Sequence, residues 1–136
     1  MSAPFEFPIR VYWEDTDAGG IVFYANYLKF FERARTEWLR ALGLSQHQLR
    51  QETGGMFVVS ETSVKYHRPA QLDDRLRVTA RLAEAGRASL VIAQQAWLGD
   101  TLLCEGSIRI GWVQADTEAL LKPARIPTSI LERLTS

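Results

Sequence analysis

Asp15 and Asp17 flank Thr16, and Ala18-Gly19-Gly20 separates them from the run Ile21-Val22-Phe23-Tyr24 that leads to Asn26 and Tyr27. A carboxylate in a glycine-bearing turn, followed by the amides of a helix N-terminus, brings a nucleophile or base next to a place for developing negative charge. That pairing suits acyl transfer. The plain alternative for both aspartates is turn-forming and capping duty, because Asp ahead of Gly is common in turns. Calcium fits poorly: an EF-hand loop opened by Asp15 would put Gly19 at its fifth position and Asn26 at its twelfth, where a bidentate Glu is required.

Other routes to hydrolysis lack their residues. The two histidines are His47, two residues after Ser45, and His67, ahead of Arg68-Pro69; neither sits in a recognisable nucleophile setting. Cys104 alternates with Gly106, Ile108, Ile110 and Trp112, as a buried small hydrophobe would on one face of a strand. No Walker loop, dinucleotide fingerprint or HExxH occurs, which leaves phosphate-transfer, nicotinamide and zincin readings without support.

The elements that must position the carboxylates follow from periodicity. Phe5, Phe7, Ile9, Val11 and Trp13 alternate with Glu6, Pro8, Arg10 and Tyr12, predicting a half-buried strand that runs into the aspartates. Tyr27, Phe30, Phe31, Ala34, Trp38, Ala41 and Leu42 recur at helical spacing, predicting a helix over 26–42 that Gly43 stops. Ser45 and Gln48 form a capping box, with Leu44 and Leu49 as its hydrophobic staple, for a short second helix ended by Gly54-Gly55. Strands are then predicted near 57–67, 74–84, 88–98 and 102–113, with Ala85-Gly86 and Gly99-Asp100 as turns, and a helical tail near 128–134. Four consecutive strands read as an antiparallel meander, and one amphipathic helix can cover one face of it, so the class is α+β.

Composition narrows the setting. With 136 residues and no linker-like stretch, the chain reads as one domain spanning 1–136. Sixteen basic residues balance sixteen acidic ones, giving no general electrostatic case for nucleic acid or an anionic membrane. A single cysteine, no apolar run of signal-peptide length and no run of ~20 apolar residues together predict a soluble, cytoplasmic protein.

Residues 11–43, centred on Glu14-Asp15-Thr16-Asp17-Ala18-Gly19-Gly20-Ile21-Val22-Phe23-Tyr24-Ala25-Asn26-Tyr27, closely resemble the hotdog-fold acyl-CoA thioesterases. The match is to the 4-hydroxybenzoyl-CoA thioesterase type, especially its Tol-Pal-associated, YbgC-like branch. Val64-Lys65-Tyr66-His67-Arg68-Pro69-Ala70 with Leu72-Asp73-Asp74 is similar to the family's second block, and Arg125-Ile126-Pro127 to its closing segment. The resemblance implies an antiparallel sheet of about five strands wrapped around one long helix. It also implies a homodimer or homotetramer with edge-to-edge sheets and active sites at the subunit interface.

By the same resemblance, Asp17 is the catalytic carboxylate, attacking the thioester carbonyl or activating water, and a backbone amide near Tyr24 holds the oxyanion. A CoA thiolate is a far better leaving group than an alkoxide, so it leaves with little protonation and no metal or organic cofactor is needed. Gly19 and Gly20 let backbone approach the thioester. Asn26 is a helix cap or a wall of the substrate site. Lys65, Arg68 and Arg87 meet the CoA phosphates or simply charge a strand end. Glu32 reads as a solvated helix residue. One departure stands out: the Tol-Pal branch commonly carries His where this chain has Tyr24, whereas the 4-hydroxybenzoyl type resembles it in having Tyr. A second reading, from another class, is therefore an adaptor with little turnover that binds acyl carrier protein or an envelope-assembly partner. A hotdog dehydratase would need a His with a carboxylate, an arrangement neither His47 nor His67 matches.

Overall fold

The computed structural model describes residues 3–136. The first strand, β1 (Phe5–Arg10), ends earlier than its alternating pattern predicts. Beyond it the Tyr12 N–H donates to the Asp15 carboxylate at 2.8 Å, which tightens Trp13–Asp15 into a single 3-10 turn and leaves Trp13 81% exposed. Val11 keeps its pairing all the same, donating to the Asp74 carbonyl and accepting from the Asp73 N–H.

The long helix α1 (Asn26–Ala41) buries Tyr27, Phe30, Phe31, Ala34, Trp38 and Leu39. Ala41, placed on the apolar stripe by spacing, is exposed instead, and Leu39 takes the final inward position. The helix stops in a Schellman motif: Gly43 adopts φ +79°, its N–H reaches the Arg40 carbonyl at 2.9 Å, and the Leu44 N–H reaches that of Leu39 at 2.7 Å. Helix α2 (Gln46–Thr53) follows, with Ser45 Oγ accepting from the Gln48 N–H and with Leu44 and Leu49 both buried as the staple requires. Only half of the capping box forms, because the Gln48 side chain donates to Glu52 at 3.0 Å.

The strands β2 (Gly55–Tyr66), β3 (Arg75–Ala85), β4 (Ser89–Leu98), β5 (Thr101–Ala115) and the short β6 (Leu121–Pro123) complete a six-stranded sheet, before α3 (Thr128–Thr135) closes the chain. All pairings are antiparallel, in the order β1-β3-β4-β5-β2, with β6 also on β5. The predicted four-strand meander is thus three strands, β3-β4-β5. β2 departs from it, crossing to pair with β5 rather than β3. The reason lies in the link at 67–74, whose turn, closed by the Asp74 N–H on the Gln71 carbonyl at 3.1 Å, comes only after the chain has run against α1: the Ala70 N–H donates to the Tyr27 hydroxyl at 3.0 Å and the Ala70 carbonyl accepts from Val22.

This is the hotdog arrangement, a curled antiparallel sheet around one helix. Phe30, Phe31 and Ala34 are fully buried against Leu76, Val78, Leu90, Ile92, Leu103 and Ile108. Each large apolar side chain so buried contributes about 1.5–3 kcal/mol. A polar strut crosses the same layer: Gln94, 1% exposed, donates to the Phe31 carbonyl on α1 and to the Thr79 carbonyl on β3, and accepts from Arg35. Burial lowers the Arg35 pKa, offset in part by Glu32.

Candidate active site

Asp17 opens a tight hairpin. Its N–H donates to the Ile21 carbonyl at 2.9 Å, its carbonyl accepts from Gly20 at 3.0 Å, and Thr16 bridges Val22. Gly20 sits at φ +80°, the left-handed position that closes a three-residue hairpin loop and that glycine occupies without steric cost. The Asp17 side chain folds back so that Oδ1 accepts the Gly19 N–H at 2.8 Å, an Asx turn that fixes the carboxylate on the rim of the loop. A Cβ on Gly19 would lie 3.2 Å from that same oxygen. Asp17 is exposed, and its Oδ2 takes no hydrogen bond among the described residues.

Asp15 behaves differently. It is 4% exposed and its carboxylate is spent on the Tyr12 N–H, while its carbonyl accepts both the Phe23 N–H and the Asn26 side-chain amide, each at 2.9 Å. The two aspartates therefore separate, one shaping the turn and one open to a ligand. Asn26 is no helix cap, since α1 starts from Ala25 without a side-chain cap; its amide donates outward to the Asp15 carbonyl.

Ahead of α1 the chain leaves amides free. Asn26 donates to the Phe23 carbonyl and Leu28 to that of Ala25, but the Tyr24 and Ala25 N–H groups have no partner among the described residues. They lie at the positive end of a 16-residue helix, where unpaired amides favour negative charge. The Tyr24 ring is 62% exposed.

A feature the sequence reading passed over is the aromatic cluster around this terminus. Tyr66, at the end of β2, meets the Tyr24 ring edge-on, with centroids 5.9 Å apart and an interplanar angle of 88°. It also lies 5.7 Å from Tyr27, while Phe23 lies 4.9 Å from Tyr24. Burial raises the pKa of both Tyr27 and Tyr66, so both are neutral hydroxyls at neutral pH. The signal was the position of Tyr66 within the block Val64–Ala70, but its partner lies on another element.

Lys65 is not brought to this place by its own chain. It neighbours Tyr66 on β2 and so faces the opposite side of the sheet, into an open groove of about 660 Å³ with Arg81, Gln95, Glu105 and Ser107. Arg68 is exposed in the link after β2, its N–H on the Leu103 carbonyl. His67 Nε2 stands 3.4 Å from Glu105 as a surface pair, and His47 is exposed on α2. Cys104 is fully buried and its thiol is pushed up to about 12, chiefly by burial.

A curled sheet on one helix, with an exposed carboxylate on a hairpin that leads into that helix, fits a thioester-cleaving class. The chain belongs to the thioesterase superfamily, whose sequence pattern it matches over residues 19–105. It is 39% identical over 126 residues to the acyl-CoA thioesterase YbgC of Haemophilus influenzae, covering 93% of this chain and 90% of that protein. In structure it is similar to a probable thioesterase from Bartonella henselae, with a TM-score of 0.84 and 34% identity over 92% of this chain and 100% of that one. A mutant 4-hydroxybenzoyl CoA thioesterase complexed with 4-hydroxybenzoyl CoA superposes with a TM-score of 0.88 at 21% identity, over 98% of this chain and 99% of that one, and speaks for the fold.

Proposed function

We propose that the chain hydrolyses acyl-CoA thioesters to free acid and CoA, with Asp17 as the reacting carboxylate and the Tyr24 and Ala25 amides as oxyanion donors. The observation that carries the reading is Asp17's own geometry: one oxygen held by the Gly19 N–H, the other unengaged, on a hairpin that feeds directly into α1. In the nucleophilic route Oδ2 adds to the thioester carbonyl, the oxyanion collapses to expel CoA thiolate, and water hydrolyses the resulting mixed anhydride. In the general-base route the same oxygen takes a proton from the attacking water. Both routes consume one water and return acid and thiol.

Short-chain and aromatic acyl groups are the substrate class this reading favours, in keeping with an exposed ring cluster rather than a deep channel. Gly19 and Gly20 admit the thioester to the loop, Asn26 holds the loop against α1, and Arg68 with Lys65 serves the CoA phosphates, Lys65 from across a subunit boundary in a homodimer or homotetramer. A cytoplasmic location and a Tol-Pal setting belong to the same reading, with acyl carrier protein as a further carrier of the acyl group. The adaptor reading gains nothing from relatives named as thioesterases. The test is thiol release across a panel of acyl-CoAs from acetyl to benzoyl to palmitoyl. Turnover of a short-chain or aromatic member is expected; no release above background from any member would contradict the assignment.

A further inference from the structure

We infer that Tyr27 is a positioning residue for the reaction: its hydroxyl, through the Ala70 backbone, holds the hairpin that carries Asp17 at a fixed place against the start of α1. This role rests on the thioesterase reading above and adds to it a buried residue that acts on the carboxylate through backbone alone.

The hairpin needs an outside support. Residues 17–20 are exposed, and a two-stranded hairpin is marginal by itself in water. Its far arm is paired on both sides: Thr16 and Asp17 lie along one, while on the other the Val22 N–H donates to the Ala70 carbonyl at 2.9 Å and Ile21 bridges Gln71. Ile21 and Val22 are thus the middle of a small three-stranded ribbon outside the main sheet, with Ala70-Gln71 as its rim. Tyr27 holds that rim. The N–H of the fully buried Ala70 donates to the Tyr27 hydroxyl at 3.0 Å and has no other partner among the described residues. Pro69 before it has no N–H to offer.

The hydroxyl is itself fixed. Tyr27 is the second residue of α1 and 3% exposed, and its ring sits between Phe30 at 5.8 Å and Tyr66 at 5.7 Å. Those contacts belong to the ring, and a phenylalanine would make them equally. The oxygen serves only the Ala70 amide among the described residues. The near arm of the hairpin has its own tether, since the Asp15 carbonyl accepts the Asn26 side-chain amide. The two arms are therefore tied to consecutive residues of one helix, Asn26 and Tyr27, just after the unpaired Tyr24 and Ala25 amides. Carboxylate and oxyanion donors share one rigid reference, as a reaction sensitive to shifts of about 1 Å requires.

The test is a double-mutant cycle on the best acyl-CoA of the panel, run on wild type, Tyr27→Phe, Asp17→Asn and the double variant below the temperature at which any of them unfolds. Tyr27→Phe keeps the ring and removes the oxygen. It is expected to lower kcat by about tenfold, an order-of-magnitude figure for a shifted carboxylate, with KM within about twofold. In the Asp17→Asn background the same substitution is expected to change the residual kcat by less than about twofold, because the group it positions is gone. A kcat equal to wild type in Tyr27→Phe, or the same loss in both backgrounds, would overturn the inference; the second outcome is what a hydroxyl serving only the fold would give. Amide exchange supplies a readout that needs no turnover. In wild type the Ala70 and Val22 amides are expected to be protected, and in Tyr27→Phe protection at Val22 and Asp17 is expected to fall while that at Ile92 and Ile108 in the main sheet holds. Ala70 exchanging in wild type at the rate of an unstructured peptide, or Val22 equally protected in both proteins, would overturn the inference, the first of these whatever the folding of the variant. Absence of turnover by wild type across the panel would overturn the thioesterase reading and Tyr27's part in it.

Discussion

The side-chain amide of Asn26 donates to the backbone carbonyl of Asp15 at 2.9 Å, tying the first residue of the long helix to the turn that carries the open carboxylate of Asp17. The bond spans eleven residues of chain and sets the hairpin's angle against the helix terminus. Replacing Asn26 by Asp keeps the size and removes the donor. A net hydrogen bond is worth about 0.5–1.5 kcal/mol, so Asn26→Asp is expected to lower thermal stability by that amount. It should lower kcat by at least tenfold, an order-of-magnitude figure set by misplacement of the carboxylate. Urea unfolding and steady-state kinetics measure the two; a kcat equal to wild type would remove Asn26 from the site's support.

Gly19 and Gly20 should fail in different ways. Gly20 has φ +80° with open space around it, so Gly20→Ala puts a Cβ into a left-handed conformation and costs about 1–2 kcal/mol of stability. Gly19 has no such φ, but its new Cβ would crowd the Asp17 Oδ1 at 3.2 Å. Gly19→Ala is expected to cost activity with stability held within about 0.5 kcal/mol. Denaturation midpoints and kcat/KM of the two variants separate the effects, and the reverse pattern would contradict the hairpin geometry.

Cys104 predicts an alkaline limit. An ordinary thiol ionises near 9.0, but burial pushes this one up to about 12, so above pH 9.0 the unfolded chain releases a proton that the folded chain retains. The stability present below that pH is therefore lost as pH rises from 9.0 towards 12. Tyr27 and Tyr66, raised from 10.0 by burial, act in the same direction. Urea midpoints should fall across this window, and less steeply in Cys104→Ala. The native thiol should resist a disulfide reagent at pH 8 and react once unfolded; rapid native labelling would contradict its burial.

Much of this was legible in the residues because the information was local. Helix α1 follows from apolar spacing and a glycine stop, and β3 from strict alternation. What escaped was set by distant partners. β2 joins β5 because its link to β3 is held by Tyr27 and Val22, a choice no periodicity encodes. The strand pattern up to Trp13 concealed a turn made by one Asp15 hydrogen bond. Tyr66 reaches Tyr24 only because β2 and the start of α1 converge in the folded chain. Lys65 lies on the outer face of the sheet, one residue out of phase with Tyr66, a placement its charge alone does not reveal.

The central claim is that Asp17 carries the reaction, and the most direct measurement is thiol release by wild type and Asp17→Asn on the best acyl-CoA of the panel. The substitution keeps the side chain's size and its acceptor for the Gly19 N–H while removing the negative charge. A fall in kcat of about 10²- to 10⁴-fold with little change in thermal stability is the expected result. Equal rates in the two proteins would contradict it.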